Sequence, residues 1–383
     1  MKQKNDLHVL YIITKLELGG AQKVCLSLLE GLESSEMTAS LISSAQGTLV
    51  NAVKNKPNVV LLKSLQRELS FFTLFNELKC FFELIGHIRT FKKKYPNLIV
   101  HTHSTKAGIW GRWAAFFAGV TNRVHTIHGY AFHAHQSKLA WVTIYMCELL
   151  TSFVTTHFVC VSSEDVKTGI KLFPRFAKKH SIIRAAVDFK QFYMPATKLT
   201  TFPNHKQKFI FGTVACFKKQ KNLFDLLQAF AFVHKKDSRT HLEIIGDGSL
   251  RPYIEQWIIK HHLTDAITLH GWQEHVAPIM MDWHAFVLSS LWEGLPCAII
   301  EARLLKLPVL SYNTGGIHDV IISGENGFLY KQGDLQHLAH GMLSLTQNQP
   351  LHSKMQQYPD DLRDFDTPQM VHEHLELYQQ LVK

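Results

Sequence analysis

Short apolar runs alternate with longer amphipathic stretches along most of this chain. His8–Thr14 is an apolar run that ends at Leu18-Gly19-Gly20, and from Ala21 onward Val24, Leu28 and Leu29 recur at helical spacing. Ser64 to Tyr95 reads as a long amphipathic helical region, Asn97–His101 as the next strand, Lys106–Ala118 as a helix and Arg123–His128 as a strand. Glu148 and His157 interrupt the near-apolar stretch from Leu139 to Val161. It divides into a buried helix and a β-branched strand, Phe158–Val161, rather than one membrane span. Between Tyr193 and Lys208 the periodicity stops, and Pro195, Pro203 and a polar cluster mark a linker. The alternation then resumes with strand Phe209–Val214, helix Asn222–Val233, strands 241–245, 267–270 and 285–288, a helix from Pro296 to Leu305 and strand Val309–Tyr312.

This order predicts an α/β fold with two parallel sheets, each covered by helices. The length of 383 residues suits two domains of roughly 150–200 residues each. The expected layout is a Rossmann-like domain over 1–193, a linker over 194–207, a second Rossmann-like domain over 208–366, and a closing helix over 367–383 that packs back on the first domain. Two doubly wound domains imply one cleft, lined by loops at the carboxyl ends of their strands.

Charge is uneven. The first 190 residues carry 24 Lys and Arg against 12 Asp and Glu, whereas the remainder carries 17 against 19. The basic half suits an anionic partner such as a phosphorylated substrate or an anionic membrane. No nucleic-acid recognition motif accompanies the charge, so nucleic acid is not an expected partner. The six cysteines form no Cys-x-x-Cys pair and read as small buried hydrophobes of a reducing compartment. The N-terminus lacks a signal-peptide pattern, so the expected location is cytoplasmic.

The most informative segment is Ser290-Leu291-Trp292-Glu293-Gly294-Leu295-Pro296-Cys297-Ala298-Ile299-Ile300-Glu301. Pro296 stands near the first helical position, where its missing N–H costs nothing. The amides of Leu295, Pro296's neighbour Cys297, and Ala298 open toward a helix N-terminus suited to phosphate oxygens. Glu293 and Glu301 are carboxylates able to accept hydrogen bonds from sugar or ribose hydroxyls. Upstream, Cys216-Phe217-Lys218-Lys219-Gln220-Lys221 follows a strand as a basic loop, where fixed cations would stabilise negative charge.

The segment from Glu293 to Glu301 resembles the Glu-x7-Glu signature of the retaining family 4 glycosyltransferases of the two-domain GT-B type. The resemblance extends to Gly246-Asp247-Gly248, Leu269-His270-Gly271-Trp272, Pro308-Val309, Asn313-Thr314-Gly315-Gly316 and Gly324-Glu325-Asn326-Gly327. In the first half, Leu18-Gly19-Gly20-Ala21-Gln22, His101 to Gly108, Val124 to Tyr130, and Val187-Asp188 with Phe192 are similar to family segments. The resemblance implies that Glu293 meets the transferred sugar, that Glu301 holds the nucleotide ribose and that Lys221 meets the diphosphate. It places His128 beside the sugar. Gly19, Gly20, Lys218, Gly246, Leu295, Pro296, Cys297 and Ala298 are the further expected donor contacts, and His103 and Lys106 the expected acceptor contacts. Two departures stand out. Cys216 occupies the place of a usual Arg, and Ala185-Ala186 replaces Asn-Gly at the hinge element.

A His-x-His pair, His101 and His103, lacks a completing Cys or carboxylate, and Asp364-Phe365-Asp366 reads as the approach to the last helix. The expected enzyme therefore needs no metal and no cofactor, the nucleotide-sugar being a substrate. Its expected acceptor is a glycan or a lipid-linked saccharide of surface-polysaccharide or glycolipid synthesis. Phe71, Phe72, Phe75, Leu78, Phe81, Phe82, Ile85 and Ile88, followed by Arg89 and Lys92–Lys94, suit either a core helix or a helix lying on the inner face of an anionic membrane. Rival readings are a nucleotide-sugar epimerase or hydrolase on the same fold and a non-enzymatic nucleotide-sugar-binding protein. A dinucleotide-dependent dehydrogenase fails because Arg251 stands where the third Gly of G-x-G-x-x-G belongs.

Overall fold

Buried apolar strands separated by amphipathic helices fold here into two units, 1–186 with 364–383, and 187–363. The computed structural model describes residues 7–33, 37–66, 74–192, 201–204 and 206–383. Most of the expected linker and the residues Phe71 and Phe72 lie outside that set.

The first unit runs β1 (Leu7–Ile12), α1 (Gly20–Glu33), β2 (Thr38–Ser44), α2 (Val50–Val53), β3 (Val59–Leu62), α3 (Leu74–Lys94), β4 (Asn97–His103), α4 (Thr105–Phe117), β5 (Asn122–Ile127), α5 (Lys138–Val154), β6 (His157–Cys160), α6 (Ser163–Leu172) and β7 (His180–Ile182). Its seven strands are all parallel, in the order β3-β2-β1-β4-β5-β6-β7. Strand order reverses between β1 and β4, so the loops after those two strands flank a crevice at the switch point. Buried Leu10, Ile12, Val100 and Ala114 belong to the core on one side of the sheet.

The second unit runs β8 (Phe209–Val214), α7 (Leu223–Lys236), β9 (Thr240–Ile245), α8 (Arg251–Lys260), β10 (Ile267–Gly271), α9 (Ala277–Met280), β11 (Ala285–Leu288), α10 (Cys297–Leu304), β12 (Val309–Tyr312), β13 (Gly327–Tyr330), α11 (Leu335–Gln347) and α12 (Gln349–Gln357). Its six strands are parallel, in the order β10-β9-β8-β11-β12-β13, with the switch point between β8 and β11. Trp283 lies against the bare Cα of Gly212, where a Cβ would stand 1.9 Å from the indole. Val187 to Phe192, read from sequence as part of the first domain, go with this unit.

The last helix, α13 (Thr367–Val382), belongs to the first unit. Its Val371 side chain stands where a Cβ on Gly31 of α1 would fall, at 2.6 Å. Tyr378 on α13 and Tyr11 on β1 share a hydrogen bond of 3.1 Å in the interior.

Two expectations, on α5 and on the cysteines, need correction, and the alternative left open for α3 finds a face for each side. The helix read as buried, α5, leaves a whole stripe of apolar residues exposed. The Phe-rich helix α3 divides its faces, with Leu84, Ile85 and Ile88 buried while Phe75, Leu78 and Phe82 are exposed. Cys147 on α5 is exposed rather than buried, and Cys216 and Cys297 are half-buried.

Candidate active site

In the second unit the candidate donor residues gather at the switch point. The loop after β8 carries Lys218 and Lys221, and the loop after β11 carries Glu293 and leads into α10. Lys221 donates to Glu293 Oε1 at 2.5 Å, with side chains only 18% and 8% exposed. Hydrogen bonds to backbone carbonyls knit the two loops together: Leu291 N donates to Gln220 O at 2.8 Å, and Ser289 Oγ donates to Asn222 O at 2.9 Å. Gln220 Nε2 donates to Trp292 O at 2.8 Å, and Gln332 Nε2 to Leu291 O. Such a braced pair of loops fixes the cation and the carboxylate before any ligand arrives.

Glycines make room for this arrangement. Gly315 has φ +56, and a Cβ on it would lie 2.2 Å from Glu293 O, while Gly316 N donates to Gly294 O at 2.6 Å. Gly246 has φ +130, and a Cβ there would lie 2.0 Å from Ala215 O, so its loop closes onto the one after β8. Pro296 caps α10 with φ −75 and ψ 113, and Leu295, Cys297 and Ala298 flank that cap. Glu301, four residues into α10, is buried at 6% exposure. Arg303, fully buried, anchors α10 through Asp360 at 2.7 Å, Leu307 O at 2.6 Å and Met355 O at 3.1 Å. The Arg303–Asp360 contact escaped sequence reading because its partners lie 57 residues apart.

In the first unit Gly19 and Gly20 lie in the loop after β1 at the start of α1. His128 follows β5, half-buried, with Nε2 3.0 Å from Nδ1 of His103. Desolvation pushes the His128 pKa down to about 3, with a contribution from His374. The two expected acceptor residues both have partners within the protein. His103 has no exposed surface and spends its Nδ1 on His128. Lys106 is ion-paired at 2.6 Å to Glu77, with side chains 10% and 7% exposed. Ser104, between them, went unnoticed in sequence. It holds φ 63 and ψ 153, a conformation costly for any residue with a Cβ, and bonds Thr14 Oγ1 at 2.7 Å. No group of three metal-ligating side chains converges among the described residues.

The geometry offers a preorganised cation and carboxylate next to a helix start in one unit, and a neutral imidazole in the other. Comparison with known proteins says what class of chemistry this serves. Residues 18–191 match the family model described as Glycosyltransferase Family 4, and residues 198–360 the one described as Glycosyl transferases group 1. Over 342 residues the chain is 30% identical to the Escherichia coli UDP-Gal:alpha-D-GlcNAc-diphosphoundecaprenol alpha-1,3-galactosyltransferase, covering 87% of this chain and 86% of that one.

The chain belongs to the family 4 glycosyltransferases.

This glycosyltransferase is also 24% identical to the capsular polysaccharide biosynthesis glycosyltransferase CapM of Staphylococcus aureus, over 92% of this chain and 90% of the relative. Its fold matches that of Anabaena Alr3699/HepE, solved in complex with UDP and glucose. The TM-score is 0.80 at 16% identity, over 97% of this chain and 99% of the other. The two doubly wound sheets are thus those of GT-B glycosyltransferases, and the protein is a sugar-transferring enzyme of the kind that serves polysaccharide synthesis. Transfer replaces the epimerase, hydrolase and binding-protein readings.

Proposed function

We propose that this glycosyltransferase moves a sugar, with retention of anomeric configuration, from a UDP-sugar to a polyprenyl-diphosphate-linked saccharide at an anionic membrane surface. The observation that carries the donor half is the Lys221–Glu293 pair, 2.5 Å apart at the switch point of the second sheet. A diphosphate there would meet Lys221, Lys218 and the amides around Leu295 to Ala298, which stabilise the charge that grows as the C1–O bond breaks. Glu301 would hold the ribose, and Gly246 would leave room for the nucleotide. Glu293, ion-paired to Lys221 through Oε1, has its charge compensated, which makes it a poor nucleophile, while its lone pairs would accept from a sugar hydroxyl. The acceptor hydroxyl then attacks from the face the diphosphate leaves, and its proton passes to the departing phosphate oxygen. His128 would accept from a sugar hydroxyl. No step needs a metal or a cofactor.

The lipid-linked acceptor is supported by the name of the 30% identical relative, which acts on a diphosphoundecaprenol-linked sugar. A surface for the membrane is supported by α5, where Leu139, Val142, Met146, Leu150 and Phe153 recur three and four residues apart and are all exposed, by 44% to 78%. Phe116 and Phe117 on α4 extend the patch, and cations border it. Arg123 lies 5.5 Å over the Phe116 ring, Arg89 donates to Phe117 O at 3.4 Å, and Lys92 donates to Gly119 O. Apolar side chains ringed by Lys and Arg suit acyl chains beneath anionic headgroups. No described helix is long and apolar enough to cross a membrane.

The test is calorimetry with UDP-galactose, UDP-glucose, UDP-N-acetylglucosamine and GDP-mannose, on wild type and Glu301→Ala. Binding of one UDP-sugar that Glu301→Ala abolishes supports the donor assignment. Equal binding by both proteins, or binding of GDP-mannose alone, overturns it.

A further inference from the structure

Strand pairing brings an unusual set of polar rings to one face of the first sheet. Tyr11 on β1 is directly opposite His101 on β4, and Thr126 on β5 is directly opposite His103. Alternation along the strands puts these four on one face, and α13 covers it with His374 and Tyr378. Tyr11, His101, His103, His374 and Tyr378 are each at most 1% exposed. The Tyr378 hydroxyl is 2.5 Å from His101 Nδ1, and Thr126 Oγ1 is 2.7 Å from His101 Nε2. The His103 and His374 rings stack against His101 at centroid distances of 4.5 and 5.7 Å.

The protons in this cluster can be counted. Nδ1 of His374 lies 2.8 Å from the carbonyl of Met370, which can only accept, so Nδ1 carries the ring proton. Burial keeps His374 neutral, so its Nε2 is a bare lone pair, buried and without a partner among the described residues. Nε2 of His103 is likewise buried and unpartnered. His103 and His128 are also held neutral by desolvation, so their 3.0 Å contact has one proton to share out. If His103 donated that proton, two lone pairs would face a dry interior that offers neither a donor. If His128 donates it, His103 carries its proton on Nε2, in the same cluster as the lone pair of His374. The second arrangement gains no hydrogen bond, but it sets an N–H of His103 in the field of the His374 ring, with which His103 interacts electrostatically, where the first sets two like lone pairs.

We propose that His103 is a positioning residue that accepts the Nε2 proton of His128, fixing His128 in the tautomer whose bare Nδ1 is left to accept a hydrogen bond from a hydroxyl of the donor sugar. The role rests on the reading of His128 given under Proposed function. It makes α13, the last helix of the chain, part of the catalytic support, because His374 and Tyr378 complete the stack that holds His103. Losing the outer partner that fixes the tautomer of a working histidine costs activity.

The experiment is a long-range proton–nitrogen correlation spectrum of the full chain with 15N-labelled histidine, the His128 signals being identified by their loss in His128→Gln. Wild type is expected to show His128 protonated on Nε2 and bare on Nδ1. In His103→Phe both tautomers appear. Turnover of the UDP-sugar bound most tightly among UDP-galactose, UDP-glucose and UDP-N-acetylglucosamine falls about ten- to a hundredfold, with its Kd unchanged. His103→Asn, whose amide oxygen can stand where Nδ1 stood, restores the single tautomer and most of the turnover. A wild-type His128 protonated on Nδ1 overturns the inference, and that spectrum decides even where His103→Phe fails to fold. Full turnover in a folded His103→Phe beside reduced turnover in His128→Gln overturns this inference alone. Full turnover in His128→Gln overturns both it and the reading of His128 on which it rests.

Discussion

Replacing Lys221 by Met separates two roles that one ammonium group performs. The side chain is 18% exposed and its partner Glu293 8% exposed, so deletion strands a carboxylate that water reaches poorly. Leaving such a group without its partner costs about 1–3 kcal/mol of stability. Gln220 Nε2 donates to Glu293 Oε2 at 3.4 Å, a long bond from a neutral amide that does not replace the lost cation. The second role is electrostatic. Removing one fixed group that meets developing charge costs about 10²–10³ in kcat. The two effects part in a cycle with Glu293→Gln, which removes the stranded charge. Lys221→Met should regain stability in the Glu293→Gln background, whereas its loss of turnover should not be relieved. Denaturant melts give the first quantity, and UDP release from the bound UDP-sugar gives the second. Lost stability with unchanged kcat would reduce Lys221 to a structural partner of Glu293 and refute the assignment.

Other perturbations follow from the same geometry. His8, His284 and His374 are buried, and desolvation, first among the causes, pushes each pKa down to about 4. The unfolded chain therefore binds more protons between pH 6.5 and 4. Stability present above pH 6.5 should fall by at least about 5 kcal/mol between pH 7 and 5, the share of these three, with His128 and His157 adding to it, read by urea melts at each pH. Gly315→Ala puts a Cβ 2.2 Å from Glu293 O at φ +56. It should cost about 1–3 kcal/mol and lower turnover more than it lowers the melting temperature predicts. Leu150→Asp with Phe153→Asp, both on the exposed stripe of α5, should abolish co-sedimentation with phosphatidylglycerol vesicles while leaving calorimetric UDP-sugar binding intact. Lys106→Met should destabilise the fold by about 1–3 kcal/mol by stranding Glu77, with the UDP-sugar Kd unchanged in calorimetry.

The parts legible in the sequence were those whose cause is local. The strand-and-helix alternation, the cap at Pro296 and the cation-bearing loop after β8 each depend on neighbours a few residues away. Four strands were missed for physical reasons. β2 reads Thr-Ala-Ser-Leu-Ile-Ser-Ser, yet Ser40, Ser43 and Ser44 are buried, so the apolar run that marks a central parallel strand is absent. β3, β7 and β13 are short edge strands of three or four residues. The exposed face of α5 was misread because apolar residues at helical spacing identify a stripe but not what covers it.

The partners of the two expected acceptor residues also bear on the donor site. His103 and Lys106 are polar residues at a switch point, and sequence alone assigns such residues to a ligand. Their partners are in the protein itself: His128 for one, and Glu77, 29 residues away on α3, for the other. Lys221 is also paired, to a carboxylate 72 residues away, so pairing by itself does not separate a working cation from a structural one. Helix poles do not separate them either: Glu77 stands in the first turn of α3 and Lys106 in the first turn of α4, just as Glu293 stands in the loop that feeds the N-terminus of α10. The double-mutant cycle at Lys221 and Glu293, set beside the UDP-sugar Kd of Lys106→Met, is the measurement that tells a cation used by a ligand from one used by the fold.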